Sequence, residues 1–339
     1  MVILIPSFRK YNDLFNNIVG PDAKIEILYE DQSLPFAHEA GVYIPETGDL
    51  WITSNQYQAQ EGGPKEIRIS RVSGVDSGEI NVEAIEPDPA ILSMPNGGVN
   101  YQDGVLFCAQ GNLNIPGGLV YMERKPPYAV HRLVEGFLGR DFNSLNDVVV
   151  HSDGSIWFTD PIYGYEQGIR PQPMLPNQVY RFNPADGGIR AVADGFGRPN
   201  GICFSPDENI VYITDTAWIH GDGSISFQRP STIYAFDVAT YSEQPFLTNR
   251  RLFAFADVGI PDGIKCDMQG NVYSGCGDGV NVWSPGGVLL GKILIPRGVS
   301  NFCFGPTGTL FLLNEHKLYK IQLGTPVVGA LLKWPEKCQ

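Results

Sequence analysis

The 339-residue chain has no apolar run approaching the ~20 residues a membrane-crossing helix needs. Its opening, MVILIPSF, is too short an apolar stretch for a signal peptide and lacks a cleavage pattern. The expectation is a cytoplasmic protein, or alternatively a secreted one whose leader is already removed. Basic patches are missing as well. Lys and Arg number 24 against 37 Asp and Glu, and the densest basic runs are Arg124-Lys125 and Arg250-Arg251. A net charge of −13 without a basic patch argues against nucleic acid and anionic membranes as partners. The six cysteines (Cys108, Cys203, Cys266, Cys276, Cys303, Cys338) show no CxxC spacing and no disulfide-scaffold density. Buried inert thiols are the expectation, a disulfide the weaker alternative. No Asn-x-Ser/Thr sequon, nucleophile elbow, H-E-x-x-H helix motif, phosphate loop or EF-hand loop is present. Long helical periodicity is also absent; 238–246 (VATYSEQPF) has room for one helical turn at most.

What the chain does have is turn formers, 39 Gly and 26 Pro, set between short strand-like runs, which points to an all-β fold. The clearest run is PNGICFSPDENIVYITD (199–215), one β-hairpin by alternation and turn chemistry. Five others follow its plan: 39–54, 97–110, 146–160, 262–275 and 300–315. Their openings recur at roughly 40–60 residues, near the period of propeller blades. Six units nearly exhaust the chain, so the expected fold is a six-bladed β-propeller, a single domain over 1–339.

The last unit holds only three strands' worth of text (FCF, TLFLLN, KLYKIQL). KIEILYE (24–30) is the expected donor of the fourth, closing the last blade with an N-terminal strand and removing two exposed edges. Residues 1–23 read as irregular and 324–339 as a tail packed on the outside. Two connections exceed simple turns, 161–176 and 216–230, each following an Asp that ends a return strand (Asp160, Asp215). Long loops on a rigid scaffold usually carry recognition, so Tyr163, Tyr165, Trp218 and Phe227 are expected at a substrate mouth or as pins for the loops themselves.

Glu39, Asn146, Asn200 and Asp262 share one phase, the start of a blade's innermost strand. In a propeller these positions converge on the axis. Two carboxylates and two carboxamides there make a hard-oxygen site suited to a divalent cation, with Ca²⁺ the first expectation. Without a cation, two facing buried carboxylates are costly. The competing account is that Asn-Gly and Asp-Gly are turn dipeptides tolerating positive φ; it leaves Glu39 unexplained. Among the histidines, His38 and His316 lie beside a blade opening and at a return-strand end.

These residues, together with HEAGVY, SLNDVVV, RPNGICFSPDE and IPDGIKCD, make the chain resemble the regucalcin (senescence marker protein) and gluconolactonase-like propellers, fungal lactonohydrolases above all. The resemblance implies a small-molecule lactone as substrate and a cation that polarises the ring carbonyl for attack by water. It implies metal ligands Glu39, Asn146, Asn200 and Asp262, with Asp262 also the general base. Related propellers that hydrolyse organophosphates end a strand in Glu-His, which Asn314-Glu315-His316 resembles, so His316 is implied as an auxiliary catalytic group. Animal members carry an arginine, a substrate contact, where this chain has Ser144; the expected substrate contacts are Ser144 at that position and, from the two long loops, Tyr163 and Trp218. The alternatives are a phosphotriesterase-like hydrolase on the same cation and a propeller that binds calcium or a partner without turnover.

Overall fold

The computed structural model describes residues 5–332. Around the axis, six antiparallel sheets follow one another in chain order, each running from an inner strand outwards. The inner strands are Glu39–Ile44, Pro95–Tyr101, Val148–Val150, Pro199–Phe204, Ile264–Cys266 and Asn301–Phe304. The fold is the expected six-bladed β-propeller. Second strands such as Leu50-Trp51-Ile52 and Ile156-Trp157-Phe158 are buried on both faces, because each blade is covered by a neighbour on either side. Apolar clusters fill the gaps between blades: Val42 and Trp51 meet Val105 and Phe107, and Val149 and Trp157 meet Ile202, Phe204 and Val211. Outer strands face solvent on one side and read as half-buried, as in Gly188–Ala193.

The last blade closes as expected. Lys24–Glu30 pairs antiparallel with Lys317–Gln322, from Lys24 opposite Gln322 to Glu30 opposite Lys317, with one register shift between Ile27 and Tyr29. Ile25 packs into the cluster shared with the fifth blade, and Leu28 and Tyr29 into the one shared with the first.

Three expectations need correction. Residues 1–23 are not irregular throughout: Ser7–Lys10 adds a fifth strand to the outer edge of the fifth blade, and Asp13–Phe15 and Asn16–Val19 form short helical turns. Phe15 anchors this segment, taking the space over Gly291, where a Cβ would lie 2.4 Å from its ring. The stretch 238–246 is not helical but joins two long strands, Thr232–Tyr241 and Gln244–Phe255. Ser242 and Glu243, with φ of 47° and 63°, supply the paired left-handed residues of a tight hairpin turn. Finally, the described part of 324–339 is on the outside only at its start, where Gly324 and Pro326 are exposed, and turns inward from Val327. Gly329 bridges to Asp267, and Leu331 and Leu332 join Gly41, Lys265, Cys266 and Phe304 around a cavity of about 30 Å³ at the far end of the channel. The apolar undersides of several inner strands need cover there, which short-range sequence pattern does not reveal. Residues 333–339, Cys338 among them, lie outside the described residues. The other five cysteines are free and buried, with Cys203 and Cys266 Sγ atoms 3.7 Å apart.

Candidate functional site at the channel mouth

Where the inner strands begin, an open cavity of about 360 Å³ is lined by Glu39, Asn146, Asn200 and Asp262 together. Four positions far apart in the chain therefore meet at one mouth. Recurring local devices place them. Asp160 accepts the backbone N–H groups of Asn143 (3.0 Å) and Ser144 (2.8 Å), fixing the segment that delivers Asn146. Asp215 does the same for Gly197 (2.9 Å) and Arg198 (2.8 Å) ahead of Asn200. In three blades a threonine at or near the return-strand end then donates to the axis residue of the next blade. Thr53 reaches the Asn96 carbonyl (3.1 Å), Thr159 that of Asn200 (2.6 Å) and Thr214 that of Asp262 (3.1 Å).

The glycines of the PNG and PDG openings do not serve positive φ, since Gly97, Gly201 and Gly263 are absent from the left-handed residues. They allow close approach. A Cβ on Gly201 would lie 2.4 Å from the Asp262 carbonyl oxygen, and one on Gly97 2.4 Å from that of Asn146. The turn-dipeptide account is thereby replaced by crowding of neighbouring inner strands at the axis.

Burial pushes both carboxylates above their ordinary range. For Glu39 the next contribution is the negative charge of Asp262; for Asp262, His38 pulls back down while Asp147 pushes up. Burial alone would lower His38, but Glu315, accepting at 2.7 Å from its Nδ1, raises it to about 10, with Glu39 and Asp262 adding to the effect. The Glu315 pairing thus biases the ring at the wall toward its protonated form. Glu315 is held in turn by Asn55 Nδ2 (3.1 Å). Asn301 donates from Nδ2 to Glu39 Oε2 (2.6 Å) and accepts Phe302 N–H (2.8 Å), which orients the Glu39 carboxylate.

The donor set fits a hard cation. Asn146 Oδ1 and Asp262 Oδ1 are buried acceptors without a hydrogen-bond partner, a costly arrangement unless something else satisfies them. Among the described residues no group of three or more His, Cys, Asp or Glu side chains is placed to hold a metal ion. Half of this set is carboxamide, which favours oxygen-seeking ions over zinc-type coordination.

The other expected site residues divide. Tyr163 lines the cavity, its hydroxyl bonded to Thr216. Ser144 does not: its Oγ donates to the Pro161 carbonyl (2.7 Å) and accepts Gly164 N–H (2.8 Å), pinning the base of the 161–176 loop. Trp218 stacks edge-on against Phe227 at 5.9 Å and pins its own loop. His316 lies outside the cavity lining, its Nδ1 bonded to the Asp31 carbonyl at 2.7 Å beside the closing strand. His38 occupies the wall instead. Sequence reasoning also missed Asn96, Gln110 and His220 in the lining. Asn96 was legible, since Pro95-Asn96-Gly97 repeats Pro199-Asn200-Gly201 and the second hairpin begins there rather than at Gly97.

The fold and its mouth define a six-bladed β-propeller with a polar cavity at one end of its axis. The chain belongs to the SMP-30/gluconolactonase/LRE-like family, whose model matches residues 39–314. It is 30% identical over 312 residues to the lactonohydrolase oryL of Aspergillus oryzae, covering 85% of this chain and 67% of that protein. It is 31% identical over 206 residues to a gluconolactonase of Zymomonas mobilis, covering 57% of this chain and 54% of the relative. The solved structure of a gluconolactonase from Xanthomonas campestris superposes with a TM-score of 0.74 at 28% identity, over 95% of this chain and 96% of that one.

Proposed function

We propose that this protein is a lactonase, a hydrolase of carboxylic ester bonds that opens a small lactone ring at the channel mouth with the help of a divalent cation. The observation that carries the reading is the meeting of Glu39, Asn146, Asn200 and Asp262 around buried acceptors that no protein group satisfies. These four residues would hold the cation, and Ca²⁺ matches their oxygen donors. When bound, such an ion polarises the lactone carbonyl and stabilises negative charge on its oxygen. Asp262 takes the proton of the attacking water and returns it to the ring oxygen as the C–O bond breaks, leaving the hydroxy acid. Asn301 keeps Glu39 aimed at the axis. His38, paired with Glu315 and biased toward its protonated form, offsets carboxylate charge at the wall. Loops 161–176 and 216–230 contribute Tyr163, Gln167, Ile219 and His220 to the wall.

The test is side-by-side turnover of D-glucono-δ-lactone and a fluorophosphate by metal-loaded and EDTA-treated protein, with elemental analysis of the purified protein. Lactone turnover lost with the ion and restored by Ca²⁺ supports the reading. Faster turnover of the fluorophosphate transfers the site to phosphotriester chemistry, and turnover of neither leaves a binding protein.

Two further outcomes follow. Asn301→Ala weakens cation binding by about ten- to hundredfold, the usual cost of losing an outer-shell partner, while circular dichroism stays native. A titration showing unchanged affinity would remove Asn301 from this role. The second concerns pH. A carboxyl whose folded pKa is raised binds protons more tightly folded than unfolded. Glu39 and Asp262 therefore contribute their full stabilisation to the cation-free protein below about pH 4 and lose it as pH climbs through their raised values. A cation replaces those protons, so the Tm gain from Ca²⁺ over EDTA widens from pH 5 to pH 8. A gain that shrinks over this range contradicts the ligand assignment.

A further inference from the structure

The two recognition loops are tied by a cluster that the lactonase chemistry above does not use. Arg198, buried with its side chain 7% exposed, faces Glu166 of the 161–176 loop and His220 of the 216–230 loop. Its Nε donates to Glu166 Oε2 (2.9 Å), its Nη1 to the Ala217 carbonyl (3.1 Å), and its Nη2 to both Glu166 Oε1 and His220 Nδ1, the latter at 2.7 Å. Glu166 Oε2 also accepts Gly221 N–H (2.8 Å), and His220 N–H is held by the Ser224 carbonyl (2.9 Å). Residues 220 and 221 are thus fixed from both sides.

A guanidinium has five N–H donors and no acceptor, so His220 Nδ1 has to accept. A ring nitrogen that accepts carries no proton, which leaves the proton of the neutral imidazole on Nε2. Arg198 stands behind the cavity wall, whereas His220 lines the cavity. With Nδ1 engaged by Arg198, the opposite Nε2–H is the free donor of a side chain that is 36% exposed and belongs to the cavity lining, with no hydrogen-bond partner among the described residues. In this tautomer the ring is not a base: the Nδ1 lone pair is engaged by Arg198 and that of Nε2 belongs to the π system. It is a donor of fixed direction.

We infer that His220 is a substrate-contacting hydrogen-bond donor, held as its Nε2–H tautomer by Arg198 and Glu166, that selects lactones carrying a hydroxyl or other oxygen acceptor on the side facing the 216–230 loop. This rests on the lactonase reading. A fixed donor discriminates because an analogue without the acceptor leaves Nε2–H unpaired when it displaces water.

The experiment compares D-glucono-δ-lactone with unsubstituted δ-valerolactone. In His220→Phe, which keeps a ring but no donor, the ratio of the two kcat/KM values falls about tenfold, the worth of one neutral hydrogen bond, and the loss appears in KM. His220→Gln, with an amide N–H to offer, recovers most of that ratio. An unchanged ratio, or a loss confined to kcat, overturns the assignment. ¹⁵N NMR of the wild-type imidazole at pH 8, assigned by its disappearance in His220→Gln, reads the tautomer without any turnover. A protonated Nε2 with bare Nδ1 is expected; a protonated Nδ1 overturns it. Wild-type protein inert on both lactones refutes the lactonase reading instead, and wild-type turnover with an unchanged ratio refutes the role of His220 alone.

Discussion

Asp262→Asn lowers lactone turnover by a factor of about 10² to 10³ and the loss persists at saturating cation, in the range seen when a charged transition-state group is removed. The substitution keeps the shape of the side chain and its neighbour Asn200. It removes one of the two negative charges at the mouth and the atom that takes the water proton. Glu39→Gln separates these roles. Glu39 moves no proton in the proposed reaction, so its loss weakens cation affinity, and millimolar Ca²⁺ restores much of the rate. Isothermal titration of the ion and initial-rate kinetics, run on both variants at several ion concentrations, give the comparison. Full activity in both variants at trace cation would remove Asp262 and Glu39 from the catalytic cation site. Recovery of Asp262→Asn by added cation would reduce Asp262 to a ligand and leave the base to be found elsewhere.

Removal of residues 1–30 has the largest expected effect on stability. It deletes Ser7–Lys10 and Lys24–Glu30, and with them the ladder that runs from Lys24 opposite Gln322 to Glu30 opposite Lys317. The Lys317–Gln322 strand then becomes an open edge, with unpaired N–H and C=O groups ready to pair with another chain. Two interblade clusters also lose side chains: Phe8, Phe15, Ile18 and Ile25 from one, Leu28 and Tyr29 from the other. Each buried aliphatic or aromatic side chain is worth roughly 1.5–3 kcal/mol, against a total stability of roughly 5–15 kcal/mol for a folded domain. The truncated chain is expected to aggregate or to melt without a cooperative transition, read by size-exclusion chromatography and a circular dichroism melt. A soluble monomer with a wild-type Tm would show that the ring holds without its N-terminal closure.

These two expectations differ in how early they were legible. The closing strand was readable because the last unit lacked a fourth strand and KIEILYE alternates as one. The axis residues were readable because a blade repeat converts a shared phase into a shared place. Asn96 carried the same signal and was lost only to the choice of where the second hairpin starts. His38 is different. Its bond to Glu315 joins residues 277 positions apart across the seam of the ring, and no local pattern marks such a pair. Ser144 and Trp218 illustrate the reverse. A position inherited by resemblance from other propellers points here into the base of a loop, because Gly164 N–H and the Pro161 carbonyl claim the serine hydroxyl.

By itself, then, the amino-acid sequence determined the all-β character, the six repeats, the closing strand and the four oxygen-bearing side chains at one phase. All of these follow from periodicity and turn chemistry that act within a few residues. Only the tertiary structure decided the rest: which histidine stands at the wall, that Asn301 aims Glu39, that Arg198 sets the tautomer of His220, and that residues 329–332 pass beneath the channel. Those arrangements depend on hydrogen-bond directions and packing between blades, which exist only once the ring has closed.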